Sequence, residues 1–237
     1  MKPAFTFKQF AICQDRCAMK VGTDGVLLGA WARVAHCRHI LDMGTGTGLV
    51  ALMAAQRSEA EVVAIDLDAD AVAQATENVE SSPWSNRIQV LEADARESTQ
   101  LIPKFQLFDA ILCNPPFFEN SLKCPDSART MARHTDKLSF DELARSAANL
   151  LAPHGELSVV IPYDRAHDMT VSAACCGLFA TRQTIIVSVE GGKPKRILMA
   201  FTREGTAHIP ETLCIQDTQR NYTPAYIRLV EDFYLKM

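Results

Sequence analysis

Short apolar runs alternate with longer stretches of mixed polarity along most of this chain. Each apolar run is bounded by turn residues, which is the pattern of a buried strand, whereas the stretches between them carry apolar residues at helical spacing. The predicted strands are 39–43, 61–67, 88–91, 108–113, 155–161, 184–189 and 197–201. The predicted helices are 26–34, 49–56, 70–80, 139–151 and 163–176.

Strands that alternate with helices predict a mostly parallel sheet covered on both faces. The last two strands are joined by the short connection 190–194, which predicts an antiparallel hairpin. The expected fold class is therefore α/β, with one doubly wound, Rossmann-like sheet of seven strands that closes with a C-terminal hairpin. We expect one domain over residues 1–237: an N-terminal arm and helix (1–38), a core (39–203) and a C-terminal extension (204–237). The arm is predicted to form a short hairpin or to pack over the domain.

Composition narrows the functional classes. The 237 residues carry a net charge of -4, so the whole protein is not a basic polyanion binder, although a local basic patch can still bind RNA. The eight cysteines lack metal-site spacing, and no secretory leader or apolar run of about 20 residues is present. We expect free thiols, no bound metal, no membrane contact, a cytoplasmic location and a monomer.

Polar residues follow the first three core strands, where a doubly wound sheet binds its ligands. Asp42 lies in the first strand, and the loop 44–48 after it has alternating glycines that let the backbone approach a ligand closely. Asp66 lies about 20 residues further on, where a carboxylate can accept both hydroxyls of a ribose. Asp94 follows the third strand, in position to accept from the amino group of an adenine.

A glycine-rich turn alone is weak evidence for a nucleotide site, but these features at successive strand ends predict an adenosine-containing cofactor. The loop lacks both the Gly-x-Gly-x-x-Gly spacing and the Lys-Ser/Thr pair of phosphate-binding loops, so S-adenosylmethionine is favoured over NAD. The candidate cofactor-binding residues are Asp42, Gly44, Gly46, Gly48, Asp66, Asp94, Ala95 and Asn114.

The strand 108–113 stops at Asn114-Pro115-Pro116-Phe117, because adjacent prolines cannot donate backbone hydrogen bonds. Asn114 precedes a proline and is biased towards an extended backbone, which projects its amide from the strand end. Our hypothesis is that the Asn114 side chain and the Pro115 carbonyl accept the hydrogens of a planar amine while Phe117 stacks on its ring. From the tetrapeptide alone, a strand that ends in a proline turn is an equal alternative. The candidate catalytic residues are Asn114, Pro115, Pro116 and Phe117.

These motifs carry a family resemblance. Leu41–Gly48, Asp66, Asp94 and Asn114–Phe117, in that order, resemble the class I S-adenosylmethionine-dependent methyltransferases. The Asn-Pro-Pro-aromatic sequence is similar to that of the amino-methyltransferases, which modify exocyclic amines or amides. The resemblance implies that S-adenosylmethionine is the cofactor.

The flanking segments are more specific than the glycine loop. Residues 7–10, 19–25 and 222–237 resemble the bacterial tRNA adenine N6-methyltransferases that act at position 37 of a valine tRNA. That resemblance implies a tRNA substrate and methylation of adenine N6. Phe117 departs from the pattern, because many relatives have tyrosine there; stacking would survive the change, whereas a hydroxyl contact would be lost.

Two basic clusters are candidate contacts for RNA phosphates, with a solvated face as the alternative for each. One lies in 120–137, and the other, to which Arg203 is also assigned, lies near the final hairpin. His134 is more simply an incidental loop residue than a base, and Phe118 fits a base pocket or the core. The candidate nucleic-acid-binding residues are Lys123, Arg129, Arg133, Lys137, Lys193, Lys195 and Arg196.

Four alternatives stay open. Ribosomal RNA guanine N2-methyltransferases carry the same motif but usually have a duplicated domain, and this chain has no repeat. Protein-glutamine methyltransferases would add an N-terminal helical domain, whereas only 38 residues precede the first predicted core strand. A non-catalytic RNA-binding module would tolerate loss of Asn114 or the glycines, all of which are present. A Rossmann oxidoreductase would need pyrophosphate-binding geometry.

Overall fold

The computed structural model of the protein describes residues 4–17, 20–97, 107–115 and 138–236. Within these ranges the strands are β1 (Ala4–Thr6), β2 (Ala11–Cys13), β3 (His39–Met43), β4 (Glu61–Asp66), β5 (Ile88–Glu92), β6 (Phe108–Cys113), β7 (Leu151–Pro162), β8 (Phe179–Val189), β9 (Pro194–Thr202) and β10 (Glu211–Gln216). The α-helices are α1 (Thr23–Trp31), α2 (Leu49–Gln56), α3 (Ala69–Glu80), α4 (Phe140–Leu150), α5 (Ala166–Cys175) and α6 (Pro224–Val230).

Strands β3 to β10 form one sheet in the order β10-β8-β9-β7-β6-β3-β4-β5. β9 runs antiparallel to both of its neighbours, and the other pairs are parallel, which confirms the predicted sheet and its closing hairpin. The chain passes from β3 outwards to β5 and then returns to β6 on the other side of β3. The strand order therefore reverses between β3 and β6, which is where a doubly wound sheet binds its ligand.

The predicted number of strands in this sheet, seven, is wrong. β10 adds an eighth strand, which pairs in parallel with β8 at the edge of the sheet. Leu213 is buried, but the strand begins with two exposed residues and ends in glutamine. An edge strand of this kind lacks the continuous apolar run by which the central strands were recognised.

Helices cover both faces of the sheet, as predicted. On one face α1 and α2 contribute buried residues such as Leu27 and Met53, and α6 packs beside them. On the other face α4 and α5 contribute Leu143 and Met169. None of the helices within the described ranges has both the length and the apolar character needed to cross a membrane.

The N-terminal arm forms a hairpin that is joined to the C-terminal segment. β1 and β2 pair in antiparallel register, which confirms the predicted hairpin. The Lys8 N–H donates to the carbonyl of Phe233 over 2.8 Å, and Phe7 forms a β-bridge with Tyr234. Phe7 and Phe233 are each 1% exposed, so both ends of the chain contribute aromatic rings to the core.

We predict that Phe233→Ala lowers the free energy of unfolding by about 3–5 kcal/mol, because it leaves a cavity where the two termini meet. Urea denaturation measures this change. Leu235→Ala is the matched control: Leu235 is 57% exposed, so its truncation should change stability by less than about 0.5 kcal/mol. Equal losses in the two variants would show that the termini do not share a core.

Candidate active site

The glycine loop after β3 curls back over the end of β4. Gly44, Gly46 and Gly48 have φ angles of +75°, +54° and +82°, in the left-handed region that favours glycine. The N–H groups of Gly44 and Thr45 both donate to the carbonyl of Ile65, at 2.9 Å each. A Cβ on Gly46 would meet nothing within 4 Å, so backbone conformation rather than crowding requires glycine there.

Asp42 lies beneath this loop. Its Oδ2 accepts from the Thr45 hydroxyl at 2.6 Å and from the Ala51 N–H at 3.1 Å, so one carboxylate joins the loop to the first turn of α2. The residue is 1% exposed, and burial raises the pKa of Asp42 to about 7 against the opposing effect of these hydrogen bonds. Asp42 therefore supports the loop from inside the core.

Asp66 joins the loop to the end of β4. Its Oδ2 accepts from the Gly46 N–H at 2.8 Å, and its Oδ1 accepts from the Asp68 N–H at 3.1 Å. An ionised carboxylate offers about four lone-pair sites, so each oxygen can accept one further hydrogen bond. The side chain is partly exposed and faces a cavity.

Asp94 lies at the same edge of the sheet, after β5. Both of its carboxylate oxygens accept from the Arg96 guanidinium, with one contact of 2.6 Å from the terminal nitrogen. This hydrogen bonding holds the pKa of Asp94 below its usual range. Asp94 is therefore a fixed anion with a cation beside it, rather than a free carboxylate.

A cavity of about 210 Å³ opens at the carboxyl ends of β3, β4, β5 and β6. The structure brings together six of the eight predicted cofactor-binding residues on its wall: Gly44, Gly46, Asp66, Asp94, Ala95 and Asn114. Asp42 lies beneath the loop instead, and Gly48, at the end of the loop, packs on α3. Pro115 also lines the cavity, so two of the four predicted catalytic residues face the same space.

Asn114 meets the start of α1. A Cβ on Gly25 would lie 3.8 Å from the Asn114 side-chain nitrogen and 3.1 Å from Leu49 at the start of α2. A glycine at this position lets the first turn of α1 approach the strand end closely. The first turns of α1 and α2 therefore meet at Gly25, close to the Asn114 side chain.

Comparisons with known proteins agree with this geometry. Residues 21–174 match the family described as methyltransferase small domain. The chain belongs to this methyltransferase family. A tRNA1(Val) (adenine(37)-N6)-methyltransferase of Phocaeicola vulgatus is 51% identical over 235 residues, 99% of each chain. Its namesake in Haemophilus influenzae is 46% identical over 234 residues, 98% of each chain.

The fold of this chain is also similar to that of solved methyltransferase structures. The crystal structure of a predicted O-methyltransferase from Agrobacterium tumefaciens has a TM-score of 0.65 to this chain at 20% identity. The aligned region covers 89% of this methyltransferase and 96% of the Agrobacterium tumefaciens protein. The family match confirms the resemblance found in the sequence, and the structural match confirms its fold class.

The basic cluster near the final hairpin is smaller than predicted. Lys193 and Lys195 are exposed beside the start of β9, which lies at the active-site edge because β9 runs antiparallel to β7. Arg196 is half-buried, and its Nε donates to Asp24 of α1 at 2.8 Å. Arg203 does not belong to this cluster, because it follows the far end of β9 and donates to the carbonyl of Ala148 at 2.6 Å.

Several predicted residues fall outside the described ranges of the methyltransferase. They are Pro116, Phe117, Phe118, Lys123, Arg129, Arg133, His134 and Lys137. Their roles stay as predictions from the sequence.

Two further residues of the cavity wall, Leu67 and Cys17, were not predicted from the sequence. Leu67 is 45% exposed although it directly follows a buried strand, and it lines the cavity beside Asp66. An apolar residue next to a strand-end carboxylate was a usable signal. Cys17 of the N-terminal arm lines the cavity as well, and no local pattern marked it.

The buried carboxylate predicts a specific pH dependence. Burial keeps Asp42 protonated up to about pH 7 in the folded protein, whereas an ordinary aspartate carboxyl has a pKa of 3.8. The stability that Asp42 contributes is therefore fully present below pH 4 and is lost as the pH rises to 7, by on the order of 4 kcal/mol. Asp42→Asn can still accept both hydrogen bonds, so the variant should lack this decline.

Urea denaturation of both proteins at pH 4 to 7 measures the difference in unfolding free energy, and other carboxylates cancel in that difference. The unfolding free energy of Asp42→Asn should rise relative to that of the wild type as the pH rises from 4 to 7. Parallel curves would show that burial does not raise the pKa of Asp42.

Proposed function

We propose that this methyltransferase transfers a methyl group from S-adenosylmethionine to the exocyclic N6 of an adenine in tRNA, with adenine 37 of tRNA1(Val) as the target. The observation that carries the proposal is the cavity shared by the glycine loop, Asp66 and Asn114. Near-full-length relatives that are named for this reaction support the choice of substrate.

The cavity wall fits the adenosine half of the cofactor. Each Asp66 oxygen has capacity for a ribose hydroxyl beyond the backbone N–H that it already accepts. Leu67 and Ala95 offer apolar contact for the adenine, and Asp94 would share its oxygens between Arg96 and the adenine amino group. We therefore assign the adenosine to the side of the cavity formed by β4 and β5, and the amino-acid tail to Gly44 and Gly46.

Electrostatics favour a cationic cofactor over a dinucleotide. The wall carries three carboxylates, those of Asp66, Asp68 and Asp94, and Arg96, whose guanidinium is paired with Asp94. A pyrophosphate in this cavity would be repelled by the carboxylates, whereas a sulfonium with an α-amino group would be attracted. The same charges oppose the oxidoreductase alternative.

Asn114 and Pro115 act on the amine. When bound, S-adenosylmethionine supplies an activated methyl group on a sulfonium, so the protein mainly has to align the acceptor. The Asn114 Oδ1 and the Pro115 carbonyl would accept the two hydrogens of the adenine amine, which directs the nitrogen lone pair towards the cofactor. These oriented dipoles also stabilise the positive charge that develops on nitrogen, and the methylated amine would then lose one proton to solvent. We expect Phe117 to stack on the base, as the sequence predicts.

We assign the tRNA phosphates to the edge beside the active site, where Lys193 and Lys195 are exposed. Arg196 is paired with Asp24, and the charge of that carboxylate weakens the attraction of Arg196 for an RNA phosphate. We also propose that the enzyme is a monomer of the cytoplasm, organised as one domain over residues 1–237. The seven described cysteines, all free thiols, suit a reducing compartment.

The test of the function is methyl transfer to tRNA that lacks modifications, followed by nucleoside analysis and mapping of the modified position. We expect N6-methyladenosine at position 37 of tRNA1(Val). N2-methylguanosine would favour the guanine-modifying alternative, and methylation of protein glutamine without any RNA product would overturn the proposal.

We predict that Asn114→Ala lowers kcat at least about 100-fold, because it removes one of the two acceptors for the amine. The dissociation constant of S-adenosylmethionine, measured by calorimetry, should change less than about three-fold. Asn86→Ala removes an exposed asparagine from the turn before β5, at the opposite edge of the sheet, and should keep full activity. Turnover retained in Asn114→Ala would exclude the amine-binding role.

We predict that Lys195→Glu weakens tRNA binding by roughly ten-fold and lowers the slope of log K against log salt by about 1, because a phosphate contact is lost. Arg228→Glu is the charge-matched control, because Arg228 is exposed on α6, away from β9. Filter binding at several salt concentrations gives both quantities. Equal weakening in the two variants would mean that Lys195 acts only through net charge.

A further inference from the structure

A short N-terminal strap, residues 13–17, leads from β2 to the cofactor cavity. Cys13 ends β2, and residues 14–17 have neither helical nor strand structure. Cys17, at the end of the strap, lines the cavity together with Asp66 and Asp68. No strand pairing extends to Cys17, and side chains of α3 make bonds to the strap.

Asn78 of α3 holds the first residue of the strap. Its Oδ1 accepts from the Cys13 N–H at 2.8 Å, and its Nδ2 donates to the Cys13 carbonyl at 2.9 Å. The same nitrogen donates to the carbonyl of Thr47 in the glycine loop at 2.8 Å. Asn78 is 2% exposed, so one buried amide joins the strap to the loop.

Gln74 lies one helical turn earlier and holds the strap nearer the cavity. Its Oε1 accepts from the Arg16 N–H at 3.1 Å, and the residue is 0% exposed. Residues four apart lie on the same face of a helix, so both amides point from α3 towards the strap. Arg16 also pairs with Glu77, at 3.5 Å between their charged groups, on the same helix.

α3 is itself fixed to the cavity wall. Asp68 caps its N-terminus by accepting from the Asp70 N–H at 2.9 Å. A Cβ on Gly48 would lie 3.4 Å from the Cβ of Ala75, so the glycine loop packs directly on the helix. The helix therefore sets the spacing between the strap, the loop and the strand end that carries Asp66.

The thiol at the end of the strap is a neutral part of the wall. Burial, followed by the charges of Asp66 and Asp68, raises the pKa of Cys17 to about 11. The thiol is therefore protonated at neutral pH. It lies close enough to the carboxylate that we assign to the ribose to feel its charge.

We propose that Asn78 and Gln74 are positioning residues for the cofactor: they hold the strap against the glycine loop so that Cys17 closes the ribose side of the cavity. This inference rests on the proposed function, because it takes the cavity to be the site of S-adenosylmethionine. Neither amide lies on the cavity wall, and neither is adjacent to Asn114. Their loss should therefore weaken cofactor binding while the methyl-transfer step at saturating cofactor persists.

Two variants and a matched control separate this role from a general loss of stability. Gln74→Met removes the acceptor for Arg16 and suits a fully buried site of similar volume, and Asn78→Ala removes all three of its bonds. Gln56→Met is the control, because Gln56 ties α2 to the C-terminal segment by donating to the Asp232 carbonyl at 3.0 Å. Calorimetry gives the dissociation constant of S-adenosylmethionine, and tRNA methylation gives kcat and KM.

Alkylation of Cys17 by N-ethylmaleimide reports the strap directly. Peptide mass spectrometry follows its rate relative to that of Cys175, an exposed thiol on the same molecule. We expect saturating S-adenosylhomocysteine to slow labelling of Cys17 in the wild type. In Gln74→Met and Asn78→Ala, labelling of Cys17 without ligand should be faster, and that of Cys175 unchanged.

We expect the dissociation constant for S-adenosylmethionine to rise about ten-fold in Asn78→Ala and several-fold in Gln74→Met, with kcat within about three-fold of the wild type. Gln56→Met should bind as the wild type does. If Asn78→Ala does not fold, Gln74→Met and the wild-type protection of Cys17 decide the question.

Binding equal to that of the control in the folded variants, or labelling of Cys17 that is indifferent to ligand, would overturn the positioning role. Failure of the wild type to bind S-adenosylmethionine would instead overturn the proposed function, on which the inference rests.

Discussion

The parallel register of β3 with its two neighbours is the constraint on which the site depends. Met43 pairs with Ile65 on one side and with Cys113 on the other, so Gly44, Asp66 and Asn114 are the next residues of three adjacent strands. Neighbouring strands lie about 4.8 Å apart, which brings a loop, a carboxylate and an amide to one edge without any long side chain. A slip of one residue in either pairing would turn those strand ends to the wrong face.

Ordering the glycine loop costs free energy, and residues from several elements stabilise its conformation. Ordering three glycines costs conformational entropy, and burying a carboxylate costs its hydration. Asp42 bonds to the loop from beneath, Asp66 from the side and Asn78 from α3. The loop therefore reaches the cavity in a fixed shape, so that little ordering remains for cofactor binding.

The sequence was sufficient to predict the place of a residue that directly follows its own buried strand. The apolar runs located β3 to β9, and Gly44, Asp66 and Asn114 could be assigned to the site because they follow such runs. The sequence also predicted that Asp42 contacts the cofactor. Its position in the sequence does not show whether its side chain faces the cavity or lies beneath the glycine loop. Its hydrogen bonds with Thr45 and Ala51 show that it lies beneath the loop.

Contacts between residues that are far apart in the chain could not be predicted in this way. The bonds that Asn78 and Gln74 make to the strap span 65 and 58 residues, and the pair formed by Arg196 and Asp24 spans 172. No local period encodes such contacts, because they arise only once α3 and β9 have packed. For the same reason the sequence placed Arg203 beside Lys195, although β9 separates them by most of its length.

The crystal structure of the protein with bound S-adenosylhomocysteine tests the central assignment most directly. We expect the adenine between Leu67 and Ala95, the ribose hydroxyls on Asp66, and the sulfur on the side of the cavity that carries Asn114. Ligand density outside this cavity, or an adenosine bound against Asn114 with its tail towards Asp94, would contradict it.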